Sequence, residues 1–338
     1  MGNYISNPLI NLFELFTSRG HKPSELKGGG DVAQLVEHVV DVVDPKIRVI
    51  GRYSQKLAQP VAHTWEYLNQ LADRIPGGIT LSRATFTRDP HMRLIFDTQA
   101  VVNKLLDTVI PLIDQNELNK AQASSQVYML LCMEKTEHSF LGTELAGDIL
   151  KRDVLQTKVT FSNRKFLSAG YNEEDAKLGF KKCAFEGLVN KAHGMIMESR
   201  KNQRQLIERK RQLHHQLHDT HASHHIEHSS IFSRNDYLLN ASPELLEIER
   251  QLADIRLKSE SPDHHLLQII EVLNHPEQYL KVDAQSMTLN NLRVKLSGNA
   301  SEHGININYA EVDIEQLLKR ITMIVSCSRE EIFSYKMH

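Results

Sequence analysis

At 338 residues, with 41% hydrophobic and 24% charged side chains and a formal net charge of -2, the chain can bury a sizeable core and has no global attraction to nucleic acid or acidic lipid. Three cysteines, Cys132, Cys183 and Cys327, lie far apart without paired spacing. That usage speaks against a disulfide scaffold or a thiolate zinc knot and gives a cytoplasmic expectation, and no apolar run approaches the roughly 18 residues that cross a bilayer.

The opening MGNYIS fits the acceptor pattern for N-myristoylation at Gly2, a short pattern that reads first as an ordinary N-terminus. Asn7-Pro8 starts a short amphipathic helix with Leu9, Leu12, Phe13 and Phe16 on one side. The three glycines of HKPSELKGGG lack a following Gly-Lys-Ser or Gly-Lys-Thr, so they read as a tether and not as a phosphate loop. Residues 1–30 are therefore set apart. Their helix is expected to dock on the body, with a second copy or a peripheral membrane contact through residues 9–16 as the other readings.

From Asp31 onward the apolar spacing predicts helix after helix. Val32 to Val43 form the first, Asp44-Pro45 caps the next, and Pro60 should kink or divide the run that ends at IPGG, 75 to 78. Arg83, Arg88 and Arg93 cluster with His91 around a helix start at Asp89-Pro90. The prevailing reading there is a capped helix with solvated arginines, the alternative an anion site. Helical runs are expected from Pro90 to Val109, from Asn116 to Leu141, and on through Leu155 to Phe161. Phe180, Ala184, Leu188, Ala192 and Met195 mark a further stripe.

The stretch from 187 to 258 organises the chain as an expected antiparallel hairpin. Its outgoing arm carries Leu206, Leu213 and Leu217, and its return arm, opened by Ser242-Pro243, carries Leu245, Ile248, Leu252 and Ile255 at helical spacing. The outgoing arm is basic (Arg200, Lys201, Arg204, Arg209, Lys210, Arg211) and the return arm acidic, which favours pairing as a coiled coil. A turn centred on Tyr237 would set His228 beside Glu247 and His221 beside Asp254. After Ser261 the pattern changes to short alternating strands at 286 to 289, 292 to 296, 305 to 309 and 321 to 327, with a helix at 315 to 319. The fold class is thus read as mainly α: a multi-helix bundle over 31–260 with a long antiparallel helical hairpin, plus a small C-terminal α+β domain with a short antiparallel sheet over 261–338.

One constellation could carry chemistry. Seven histidines fall between His214 and His228, and His224-His225-Ile226-Glu227-His228 matches the inverted zincin pattern H-x-x-E-H. In that reading His224 and His228 hold Zn²⁺ from one helix face, Glu227 is the general base, and Glu247 completes the metal site as third ligand. A histidine-rich tract yields such a match cheaply, however, and the solvated or partner-facing helix is preferred, with no cofactor expected. Nucleic-acid binding rests on the basic arm alone and lacks a recognition helix or aromatic platform. The favoured function is a non-enzymatic scaffold or assembly component that binds a protein partner or forms a homo-oligomer. Its contacts would run through Arg204, Arg209, Leu213, Leu217, Leu245, Ile248 and Leu252.

Overall fold

The computed structural model describes residues 32–113, 125–146, 149–222, 243–259, 261–296, 304–315 and 318–333. The readings made above for Gly2, the amphipathic helix at 9–16, the glycine tether, His224, Glu227, His228 and the turn about Tyr237 lie outside these residues. The chain forms two compact units, each assembled from separated segments. One contains His63–Leu188 and His275–His338, the other Val32–Ala62 and Val189–Asn274.

The first unit is built on six strands, β1 (Ile79–Leu81), β2 (Gln126–Ala146), β3 (Ile149–Gly170), β4 (Leu280–Leu289), β5 (Ile305–Ile314) and β6 (Leu318–Ser328). Their order is β3-β2-β6-β5-β4, antiparallel throughout, with the short β1 added parallel to the end of β6. The fold is therefore mixed α/β, with predominant helices and one large antiparallel sheet curled into a half-barrel. Two sequence expectations are corrected here. The run from 126 to 161 is a long β-hairpin and not helix, and the C-terminal strands do not make a sheet of their own, because β6 pairs with β2 from Gln126↔Ser328 to Met133↔Ile321.

The misreading has a physical cause. Val127, Met129, Leu131 and Met133 point into one core, and Leu130 is buried as well. A strand covered on both faces reads as a continuous apolar run, which periodicity alone cannot separate from a buried helix. The expected helix at 315 to 319 fails differently: Glu315 is a turn residue and β6 already begins at Leu318.

Inside the curl lie α3 (Pro90–Ile95) and α4 (Gln99–Asp107), whose Met92, Ile95, Phe96, Val102 and Leu106 pack with Leu131, Phe161, Met287, Ile307 and Met323. Asp89 starts α3 by accepting the His91 amide at 2.8 Å, so the capping reading describes this segment. Arg83 does not turn to an anion site. It binds the Glu331 carbonyl at 2.6 Å and Asn103 at 3.0 Å.

Residues 290–296 tie the two edges of the sheet together. Val159 of β3 donates to the Arg293 carbonyl at 2.8 Å, Lys295 donates back to Thr157 at 2.8 Å, and Leu296 donates to Thr288 of β4 at 2.9 Å. Arg293 takes a left-handed φ of 64°, and the Asn290 side chain steadies this turn by accepting the Leu292 and Val294 amides at 2.9 Å each. The Arg293 guanidinium reaches Asp97 at 2.6 Å, where Arg164 also binds at 3.0 Å. We expect Arg293→Ala to lower stability by about 1 kcal/mol, the net worth of a typical intramolecular hydrogen bond. Amide exchange at Val159 should quicken with it, and unchanged exchange there would show that this segment does not secure the β3 edge.

On the other face of the sheet rest the second half of α2 (Tyr53–Ala72), which continues unbroken through Pro60, and the first half of α5 (Glu173–Ala222). Tyr67 donates to the Leu280 carbonyl at 2.9 Å, and the Trp65 and Phe185 rings meet edge-on at 6.1 Å between centroids. A Cβ at Gly179 would collide with the Ser168 side chain of β3, and one at Gly187 would displace the tip of the Ile314 side chain of β5. The glycines let the helix backbone lie close on the strands.

The second unit is helical: α1 (Val32–Val43), a 3-10 turn at Pro45–Val49, the start of α2, the rest of α5, α6 (Pro243–Ser259) and α7 (Pro262–Asn274). Val36, Val39, Val40, Ile47, Leu57, Val61, Leu266 and Ile269 are among its fully buried residues. A single turn, α8 (Pro276–Tyr279), leads back to the sheet, and α9 (Arg329–Phe333) ends the described chain.

Candidate interaction site on the helical hairpin

On α5, Ala192, Ile196, Gln203 and Leu213 are buried and Ser199, Leu206 and Lys210 half-buried, a spacing that alternates four and three residues as in a coiled-coil seam. Leu206 and Leu213 pack with Leu245, Ile248 and Leu252 of α6. At the start of α6, Glu244 accepts two bonds from Arg209, at 2.9 and 3.1 Å, and Glu249 meets Lys210 at 2.6 Å. At its far end the chain turns into α7, whose His265 shares Asp44 with Arg200, a residue earlier on α5. The two helices therefore run antiparallel.

Their register differs from the one a turn about Tyr237 implies. Glu247 lies between Glu244 and Glu249, which meet Arg209 and Lys210, and its carboxylate is taken by Arg250 at 2.9 Å and Gln251 at 2.8 Å. Those two partners hold it down to about 2. The slip follows from the leucines: this alignment puts Leu245, Ile248 and Leu252 against Leu206 and Leu213, whereas the symmetric turn would oppose them to the polar histidine tract. His221 and Leu217 lie on the last turns of α5, beyond the level where α6 begins. Among the described residues no group of three His, Cys, Asp or Glu is placed to hold a metal ion.

The basic arm is largely opposed by carboxylates. Arg200 faces Asp44 at 3.5 Å, Lys201 faces Glu198 at 3.9 Å, and Arg209 and Lys210 are engaged as above. Arg204 and Arg211 are exposed, as is Asn202. A solvated pair of this kind contributes about 0 to 1 kcal/mol, so charge selects the alignment and the apolar seam holds it.

Two polar clusters were not legible as sites in the sequence. Beneath the hairpin, Asp44 is buried with its Oδ2 2.7 Å from Nδ1 of the fully buried His265, while its Oδ1 caps the 3-10 turn by accepting the Lys46 amide at 3.0 Å. The sequence showed only the cap, because His265 and Arg200 arrive from distant segments. In the first unit, β6 parts from β2 beyond Ile321, and a cleft of about 260 Å³ opens between Glu134, Lys135, Thr136, Glu311, Lys319, Arg320 and Ile321. Lys135 sits at its centre, 3.2 Å from both Tyr309 Oη and Glu137 and 3.5 Å from Glu311. Burial pushes its ammonium down, but these partners outweigh that and leave it above the usual lysine range. Lys319 binds Glu311 and Arg320 binds Glu134, so the cleft is a lattice of opposed charges that ties the diverging strands.

No family model, curated protein or solved structure matches the chain.

Proposed function

We propose that the protein is a non-enzymatic scaffold or assembly component that works through protein contacts of the α5–α6 hairpin and associates with further copies of itself. The observation behind this reading is the seam: Ser199, Gln203 and Lys210 interrupt its apolar positions, and α5 continues past the start of α6. A two-helix core with such interruptions is imperfect and gains from a third helix, while polar seam residues fix which register and partner are accepted. The basic stretch carries no independent case for nucleic acid, since most of its charges already face carboxylates.

The test separates partner contact from hairpin integrity. Arg204→Glu changes an exposed residue and should reduce the assembled mass seen by light scattering while helicity stays constant. Arg209→Glu also breaks the bond to Glu244, and adding Glu244→Arg should restore the hairpin by reversing the pair. A strictly monomeric protein at high concentration, with no partner held through this face, would overturn the proposal.

A further inference from the structure

Beyond Met133 the sheet narrows to a ribbon. β6 leaves β2 after the pair Met133↔Ile321, while β2 and β3 run on together in nine consecutive pairs from Glu134↔Ser162 to Gly142↔Val154. On the outer side of β3 the segment 290–296 reaches only as far as Thr157, the partner of Ser139. Past that level the described chain is two strands wide, and two strands alone are marginal in water.

The two edges of the ribbon differ. On β3, Arg152 and Asp153 stand opposite the single residue Thr143, Asp153 takes a left-handed φ of 58°, and Lys151 and Arg152 are exposed. A bulge with flanking cations guards an edge against strand addition. The β2 edge from Glu134 to Gly142 has no such guard. Its pairing with β3 is regular throughout, no proline interrupts it, and among the described residues no strand lies on its other side. Three large apolar side chains are uncovered here, Phe140 at 39%, Leu141 at 67% and Leu155 at 71% exposure. Leu141 and Leu155 are direct cross-strand partners and share one face of the ribbon, and Phe140 lies on the other.

We propose that the β2 edge is a self-association site, at which β2 of one copy pairs antiparallel with β2 of a second about a two-fold axis at Phe140. In an isologous pairing the residue on the axis faces its own copy. An axis at Lys135 or Glu137 would oppose like charges, whereas at Phe140 it sets ring beside ring, a favourable cross-strand pair. The same register puts Ser139 opposite Leu141, His138 opposite Gly142 and Glu137 opposite Thr143 of the second copy. On the other face the Leu141–Leu155 pairs of the two copies become diagonal neighbours, so all three exposed apolar residues are covered. The ribbon becomes four strands wide, and the antiparallel arrangement leads the two bodies off in opposite directions. This site is separate from the α5–α6 hairpin.

The experiment uses the full-length chain carrying Arg204→Glu, so that association through the hairpin does not mask the ribbon. Sedimentation velocity should show a dimer, and adding Phe140→Lys should raise its dissociation constant about tenfold or more, with the circular dichroism unchanged. A second variant reads the register: Phe140→Cys should give a 140–140 disulfide between copies on mild oxidation, mapped by mass spectrometry. His138→Cys should not, because the two copies of that position lie about 13 Å apart along the strands, beyond disulfide reach. A monomer in the Arg204→Glu background would overturn this inference and leave the hairpin reading standing. A dimer indifferent to Phe140→Lys, or equal linkage at positions 138 and 140, would overturn it as well.

Discussion

Replacing Phe96 by alanine is expected to lower the free energy of unfolding by about 3 to 5 kcal/mol, the cost of emptying a large buried aromatic site. Phe96 is fully buried at the end of α3, inside the curl of the sheet, and belongs to the same core as Leu131, Phe161, Ile307 and Met323. These neighbours come from four strands that the sheet holds in fixed register, so they cannot close around the vacancy. Urea unfolding followed by far-ultraviolet circular dichroism would measure the loss. A change below about 1 kcal/mol would mean that the inner core is loose enough to collapse, contrary to the close packing expected of an interior.

Asp44→Ala is expected to cost about 2 to 4 kcal/mol, in the second unit rather than the first, by removing a helix cap and a buried polar partner together. The carboxylate joins three elements, accepting from the Lys46 amide and His265 and facing Arg200 at 3.5 Å. Burial pushes it up, yet these donors prevail and hold Asp44 below the usual carboxylate range. A carboxyl depressed in the folded state stabilises it above the unfolded value of about 3.9 and loses that effect as pH falls. Asp97, Glu137 and Glu311 are depressed in the same sense, by Arg293 and Arg164, by Lys295 and Lys135, and by Lys319 and Lys135, burial opposing the shift in each case. Stability should therefore decline from about pH 5 downward, with a shallower decline in Asp44→Asn. Equal acid dependence in wild type and Asp44→Asn would remove Asp44 from this account.

The contrast between what was readable and what was not is instructive. Asp89-Pro90 and Ser261-Pro262 mark true helix starts, whereas Asp44-Pro45 caps only a 3-10 turn and the long helix expected from there begins at Tyr53; a side-chain cap is a local transaction with amides two or three residues away. The seam leucines of the hairpin could be named for the same reason, since helical spacing puts them on one face. Its alignment could not, because the match is decided by leucines far apart in the sequence and not by a local motif. β2 escapes the strand pattern because Leu130 and Leu131 are both buried, which erases the alternation that identifies a half-exposed strand. The Asp44–His265 pair depends wholly on tertiary placement, and periodicity carries no trace of it.

The strand made last occupies the middle of the sheet. β6 takes β2 on one side and β5 and β1 on the other, so every strand upstream leaves the ribosome before the one that unites them exists. Until then the β2–β3 hairpin can form by itself but presents a bare edge, and such an edge invites pairing with a neighbouring nascent chain. Completion of the sheet is therefore expected to follow synthesis of β6, and its non-local pairings to make that step slow.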